Sequence, residues 1–342
     1  MTQVPKILLI YTGGTIGMIK DFETGALRNF NFDELLQHIP ELKLLDCEID
    51  TTSFESPIDS SNMNPAYWAQ IALLIKDNYT EFDGFVVLHG SDTMSYTASA
   101  LSFMLENLSK PVVFTGSQLP IGDLRTDAKE NLITSIQIAA LQEKGRSKIS
   151  EVCLYFEYKL YRANRTTKIN AEHFEAFDSL NYPALAESGV HLQINTSALY
   201  VPNRRKKFKV NTIMSTGVVL LKMFPGIDQA TIEHILGYKN LKGLILETYG
   251  SGNTTTEPWF TAALKEVLKK RIPVVNVTQC SGGSVAMGLY ETSTALKRMG
   301  VISGKDCTTE AALTKLMYLL GREISPGSFK TLFETSLRGE MS

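Results

Sequence analysis

The chain has 342 residues, is 44% hydrophobic and 20% charged, and carries a net charge of −2 at pH 7. That balance gives no strongly basic face, so neither nucleic acid nor an anionic membrane surface is an expected partner. No apolar run approaches the roughly 18 residues that a membrane-spanning helix needs, and the length suits two domains.

Val4-Pro5-Lys6 leads straight into an apolar run, without the basic, apolar and small-residue stages of a secretory leader. Cys47, Cys153, Cys280 and Cys307 form no C-x-x-C pair and sit at no metal-ligand spacing. They read as free thiols in a reducing cytoplasm.

The first element is the strand Lys6-Ile7-Leu8-Leu9-Ile10-Tyr11, which stops at Thr12-Gly13-Gly14-Thr15. Glycines at a strand end let the backbone come close to another segment, and ligands of open α/β sheets bind at such carboxyl ends. Thr15 is therefore a candidate nucleophile. Residues 19–27 read as a loop placed to act as a lid, and 32–39 as a helix stopped by Pro40. A short strand fits within 44–54. Asp59-Ser60-Ser61-Asn62 precedes Asn64-Pro65, a good N-cap pair for a helix over 66–78. Its hydroxyls and amides also suit a bound carboxylate.

The strand-glycine-polar pattern recurs twice. Phe85-Val86-Val87-Leu88 ends in His89-Gly90-Ser91-Asp92, before a helix running to 108, and Val112-Val113-Phe114 ends in Thr115-Gly116-Ser117-Gln118. Asp92 fits either a helix cap or a partner for a ligand ammonium. A helix over 128–141 and a strand over 149–156 follow. Residues 159–168 are markedly basic, which suits a solvated loop. A single lysine drawn from it into a hydroxyl-lined site would ease formation of an alkoxide.

Asn203-Arg204-Arg205-Lys206-Lys207 reads as an exposed inter-domain connection. Strands over 218–223, 243–248 and 273–280 then alternate with helices over 228–237, 259–270, 308–320 and 328–337. This rhythm predicts two α/β domains, each a mainly parallel sheet flanked by helices. Their bounds are 1–195 with the catalytic residues, a linker over 196–214, and a smaller domain over 215–342. Walker, G-x-G-x-x-G, G-x-S-x-G and H-E-x-x-H patterns are all absent. A hydroxyl-and-acid site with a lysine and no cofactor or metal is left.

Several motifs together resemble the bacterial type I, cytoplasmic L-asparaginases. They are Tyr11-Thr12-Gly13-Gly14-Thr15-Ile16-Gly17-Met18, Asp59-Ser60-Ser61-Asn62-Met63, His89-Gly90-Ser91-Asp92-Thr93-Met94, Thr115-Gly116-Ser117-Gln118, Asn164-Arg165-Thr166-Thr167-Lys168, Val277-Thr278-Gln279-Cys280 and Leu337-Arg338-Gly339-Glu340. The resemblance implies Rossmann-type layers, and asparagine hydrolysis through an acyl-enzyme on Thr15. It makes Ser91, Asp92 and Lys168 a proton-transfer group. Asp59, Ser60 and Ser61, with Ser91 and Asp92, would hold the substrate, and oxyanion donors are sought at Gly14 and Gly90. It also implies a homotetramer built as a dimer of dimers.

Three positions depart from that pattern. Ser91 stands where threonine is usual. Ala26 follows Gly25 where the lid usually carries a tyrosine. Some type I enzymes have a second, regulatory asparagine site with an arginine and a cysteine; Cys280 matches the cysteine, but Glu247 reverses the arginine's charge. The competing readings are a glutaminase-asparaginase, an asparaginase-like component of a tRNA amidotransferase, and a non-catalytic amino-acid-binding protein on the same fold. Low basic content and the lack of an N-terminal extension disfavour the amidotransferase component. The nucleophile, acid and lysine together disfavour the mere binder.

Overall fold

A computed structural model describes residues 4–20, 27–29 and 39–342. The helix expected over 32–39 and the Gly25-Ala26 step lie outside the described residues. The chain divides into two compact units, Met1–Thr212 and Ile213–Ser342.

The first unit is built on an eight-stranded sheet. Its strands are β1 (Lys6–Tyr11), β2 (Glu48–Ser53), β3 (Gly84–Leu88), β4 (Val112–Thr115), β5 (Val152–Phe156), β6 (Lys159–Arg162), β7 (Ala186–Glu187) and β8 (Gln193–Ile194), in the order β8-β7-β6-β5-β4-β3-β1-β2. Strands β2, β1, β3, β4 and β5 run parallel, while β6, β7 and β8 join antiparallel. Strands β1, β3, β4 and β5 are largely apolar runs because both their faces are covered, whereas the edge strand β2, Glu48-Ile49-Asp50-Thr51-Thr52-Ser53, is polar and partly exposed. On one side, Ile7, Leu9, Val86, Leu88 and Val113 pack with Leu132 and Ile136 of α3 (Ala128–Ala140). Each such side chain, fully buried, contributes about 1.5–3 kcal/mol.

Helix α1 (Pro65–Asp77) starts as expected: Pro65 is its first residue, and the Asn64 side chain accepts from the Ala66 amide at 2.9 Å. It is pinned to α2 (Met94–Met104) by a 3.1 Å hydrogen bond from Trp68 Nε1 to Thr97 Oγ1. Residues Met18–Lys20 pair antiparallel with Leu27–Asn29, so the segment expected as a plain loop begins and ends as a ribbon.

The basic run over 159–168 is not a solvated loop. Lys159–Arg162 is strand β6, paired with β5 in register Cys153 to Arg162. Arg162 is buried against Glu151 at 2.6 Å, with its guanidinium 4.4 Å from the Tyr182 ring centre. Arg165 is buried beside the same ring, 5.2 Å from its centre. A paired carboxylate and an aromatic face remove the usual cost of burying these cations. Similarly, 203–207 is exposed, but Lys209–Val210 pairs with Leu105–Glu106 and Asn107 Nδ2 donates to the Lys207 carbonyl at 3.1 Å. The end of the connection is thus part of the first unit.

The second unit has a four-stranded, all-parallel sheet: β9 (Val218–Lys222), β10 (Gly243–Thr248), β11 (Val274–Thr278) and β12 (Ile302–Ser303), in sequence order. Its helices are α4 (Gln229–Leu236), α5 (Pro258–Lys269), α6 (Glu291–Met299), α7 (Thr309–Leu320) and α8 (Pro326–Glu334). Ile232, Leu244, Leu246, Phe260, Leu264 and Val274 form its core. Helix α6 was not expected from periodicity; it ends at Gly300, whose φ of 94° makes a left-handed cap. Among the described residues, no helix is long and apolar enough to cross a membrane.

Candidate active site

The candidate residues of the first unit lie on the segments that follow the carboxyl ends of β1, β2 and β3, and on the short strand Thr167–Lys168. The first turn separates its two threonines. Thr12 is buried, and both its amide and its hydroxyl donate to the Leu88 carbonyl, at 3.0 and 2.9 Å. It ties β1 to β3. Thr15 is half-buried and begins a 3-10 turn, Thr15–Gly17. Among the described residues its hydroxyl has no hydrogen-bond partner.

Three segments meet beneath Thr15. Gly14 has a φ of 96°, and a Cβ there would lie 2.5 Å from the Gly90 nitrogen. A Cβ on Gly90 would lie 2.5 Å from Ser60 Oγ and 2.7 Å from Ser60 Cβ. Only glycine permits this approach of three backbones, which draws the turns carrying Thr15, Ser60 and Ser91 together. Thr93 Oγ1 adds a 2.7 Å bond to the Ser60 carbonyl. Gly90→Ala is therefore expected to cost about 2–4 kcal/mol of stability by overpacking. It should also lower kcat, because the Ser60 side chain must shift to admit the new methyl beside Ser91. Urea unfolding and steady-state rates of the variant check both effects.

Asp59 acts as a cap: its Oδ1 accepts from the Ser61 amide and hydroxyl, both at 2.8 Å. The amide first, then the hydroxyl, holds the Asp59 carboxyl below its ordinary range. Ser60 is buried, and Asp59 and Ser61 are exposed. Asp92, by contrast, does not cap α2, whose first turn lacks a side-chain cap. Its Oδ1 instead accepts from Lys168 Nζ at 2.7 Å. Lys168 Nζ also donates to Ser91 Oγ at 2.8 Å. Lys168 is placed there by its neighbour Thr166, whose hydroxyl bonds the Ser95 hydroxyl of α2 (3.2 Å) and the Ala163 carbonyl (2.7 Å). Ser91, Asp92 and Lys168 thus form one hydrogen-bonded group across 77 residues of sequence.

Two contributors were not singled out in the sequence. Gln118 Oε1 accepts from Ser91 Oγ at 3.2 Å; its sequence signals were its place in the third strand-glycine-polar end and in the Thr115-Gly116-Ser117-Gln118 motif, neither of which gave it a role. His89 is buried directly before Gly90, with Nδ1 2.7 Å from the Gly90 carbonyl, while Nε2 has no partner. Burial, opposed by the Gly90 contact, pulls its imidazole down to about 4 from 6.5. His89 is thus neutral in the fold and protonates first in the unfolded chain. Its contribution is intact above pH 6.5 and falls away toward pH 4, by on the order of 3 kcal/mol. Urea unfolding at pH 7.5 and pH 4.5 should show wild type losing more stability than His89→Gln across that interval.

The structure brings Thr15, Asp59, Ser60, Ser61, Gly14, Gly90, Ser91, Asp92 and Lys168 to one end of one sheet. Glu247 and Cys280 belong to the second unit. The Glu247 carboxylate accepts from Thr309 Oγ1 at 2.6 Å and pairs with Lys222 at 3.7 Å, and Cys280 is exposed. Among the described residues, no three His, Cys, Asp or Glu side chains group as metal ligands do.

The profile of the asparaginase N-terminal domain matches residues 6–200, and that of the glutaminase/asparaginase C-terminal domain matches residues 217–333. The chain belongs to the asparaginase family. It is 42% identical over 342 residues to L-asparaginase 1 of Escherichia coli K12, covering 99% of both chains. It is 34% identical to a glutamyl-tRNA(Gln) amidotransferase component of Methanobrevibacter smithii, covering 98% of this chain and 77% of that one. Among solved structures, L-asparaginase I of Vibrio cholerae superposes with a TM-score of 0.89 at 41% identity, over 99% of each chain.

Proposed function

We propose that the protein hydrolyses the side-chain amide of L-asparagine to L-aspartate and ammonia. The observation that carries this reading is the hydrogen-bonded Ser91–Lys168–Asp92 group on the strand ends shared with the Thr15 turn, in a chain 42% identical end to end to an L-asparaginase.

In the proposed cycle, Thr15 Oγ attacks the amide carbon and gives up its proton to the Ser91–Lys168 group, where Lys168 Nζ, as the neutral amine, is the atom that takes it. The C–N bond breaks, and the departing nitrogen takes a proton and leaves as ammonia. Water then attacks the resulting ester, and aspartate leaves as Thr15 regains its proton. A free hydroxyl is a weak nucleophile, so a proton acceptor in contact with its surroundings is the essential requirement.

Asp92 has a second role in this reading. Lys168 occupies its Oδ1, which leaves Oδ2 for the substrate ammonium. The Asp59-Ser60-Ser61 turn would hold the α-carboxylate through hydroxyl and amide donors. Backbone amides near Gly14 and Gly90 would hold the oxyanion, each donor being worth about 3 kcal/mol in the transition state. Assembly as a dimer of dimers and a cytoplasmic location extend the same reading, the latter supported by four free thiols. A regulatory site at Cys280 would have Glu247, paired with Lys222, where the resemblance places an arginine.

The test is ammonia release from asparagine and from glutamine by the folded protein, with acid quenching to capture an aspartyl ester on the peptide that contains Thr15. Ammonia from asparagine together with the ester supports the proposal. Release from neither amide overturns it, and equal kcat/KM for both replaces it with a glutaminase-asparaginase.

A further inference from the structure

Gln118 sits half-buried at the carboxyl end of β4, with its backbone N–H and both atoms of its side-chain amide hydrogen-bonded. Its amide N–H is held by both carboxylate oxygens of Asp127, at 3.1 and 2.9 Å, and Asn131 Nδ2 steadies that carboxylate at 3.2 Å. The side-chain Nε2 donates to two carbonyls, Ala171 at 3.2 Å and His173 at 3.0 Å. Two carbonyl partners on one atom identify it as the nitrogen, so Oε1 faces Ser91 and accepts its hydroxyl proton at 3.2 Å.

Ser91 is constrained in turn. A hydroxyl has one proton and two acceptor sites. With the proton on Gln118 and one acceptor site taken by Lys168 Nζ at 2.8 Å, the second acceptor site is left for substrate or water. Serine has no branch at Cβ to restrict χ1; a threonine here would carry that restriction in its methyl group. Without Gln118, the Lys168 bond alone would hold the Ser91 oxygen, and its proton would be free to rotate onto the acceptor site left for substrate or water.

We propose that Gln118 is a positioning residue that gives Ser91, through a hydrogen bond, the rotamer control that a γ-methyl would give a threonine. It keeps an acceptor site on Ser91 open toward the reacting atoms and the oxygen within reach of Lys168. This rests on the reading of Ser91 and Lys168 as the proton-transfer group.

The experiment is a double-mutant cycle read in kcat and KM for asparagine. Gln118→Met keeps the side-chain length and removes the acceptor. In the Ser91 protein it should lower kcat about tenfold, a part of what acid–base groups contribute, with KM changed less than about threefold. In the Ser91→Thr background, where the methyl supplies the restriction, the same substitution should cost less than about threefold in kcat. Equal kcat losses in both backgrounds overturn the proposal, because Gln118 would then act through the Ala171 and His173 carbonyls alone. No loss in the Ser91 protein overturns it as well. If Gln118→Met does not fold, Gln118→Asn, which draws the amide back by one methylene, is read in the same two backgrounds. Ser91→Ala and Thr15→Ala separate this from the parent reading. Full activity in Ser91→Ala would overturn the role of Ser91 itself, while loss of activity in Thr15→Ala alone would leave the nucleophile standing.

Discussion

Thr15→Ala is expected to lower kcat for asparagine by about 10⁴-fold, with KM within about threefold of wild type. The loss falls on kcat because, in the proposed cycle, alanine lacks the hydroxyl oxygen that would form the ester, while the turn itself is kept. The turn does not need the hydroxyl. It is held by Gly17 donating to the Gly14 carbonyl at 3.2 Å and by Ile58 donating to the Thr12 carbonyl at 2.8 Å. Thr12→Val supplies the contrast within the same motif. It deletes the bond to the Leu88 carbonyl and should cost about 1 kcal/mol of stability, with kcat reduced far less than in Thr15→Ala. Stopped ammonia assays and urea unfolding on both variants check the pair of outcomes. A Thr12→Val loss in kcat as large as that of Thr15→Ala would refute the assignment.

The largest stability effect is expected at Lys315. This lysine and Glu340 are both fully buried, with Nζ and Oε1 2.5 Å apart. Nζ also donates to the Phe333 and Thr335 carbonyls, at 2.6 and 2.7 Å. The carboxylate accepts from the amides of Leu337 and Arg338. Burial pushes the Glu340 carboxyl up, but the Lys315 ammonium and these amides outweigh it and hold it below its ordinary value. The pair fastens the C-terminal tail to α7, so Leu337-Arg338-Gly339-Glu340 is a structural lock. Lys315→Met strands a carboxylate in the core and should cost about 3–5 kcal/mol. Adding Glu340→Gln should recover part of that loss, since the stranded charge is then gone. A carboxyl whose pKa is lowered by folding contributes most above its unfolded value near 4.5, and that contribution fades as pH falls through the folded value. Thermal unfolding of wild type, single and double variants at pH 7 and pH 4 measures both the coupling and its sign.

The central parallel strands β1, β3, β4 and β10 were readable because a strand covered on both faces is an apolar run, and in these four a glycine follows close behind its end. The same logic exposed the turns of Thr15, Ser91 and Gln118 as strand ends of one kind. Asn64-Pro65 was readable as a helix start because capping is settled within a few residues. The run over 159–168 misled for the opposite reason. Charge alone favours solvent, yet Glu151 and Tyr182, which make burial of Arg162 tolerable, lie far along the chain. Asp92 likewise had two local readings, and only the arrival of Lys168, 76 residues away, chose between a cap and an ion pair.

The sequence by itself determined the alternation of strands and helices, the two-unit plan, and the three polar strand ends, because hydrophobic period and turn chemistry act locally. Thr15, the Asp59-Ser60-Ser61 turn and Asp92 were marked by their place on turns and strand ends, whereas the position of Lys168 and the grouping of roles came through resemblance. Tertiary structure alone decided that Gly14, Gly90 and Ser60 close on one another, that Thr12 is bound while Thr15 is left open, and that Gln118 takes the Ser91 proton. Those outcomes depend on close backbone approach and on hydrogen bonds between distant segments, which form only when packing excludes the water that would otherwise satisfy the same groups.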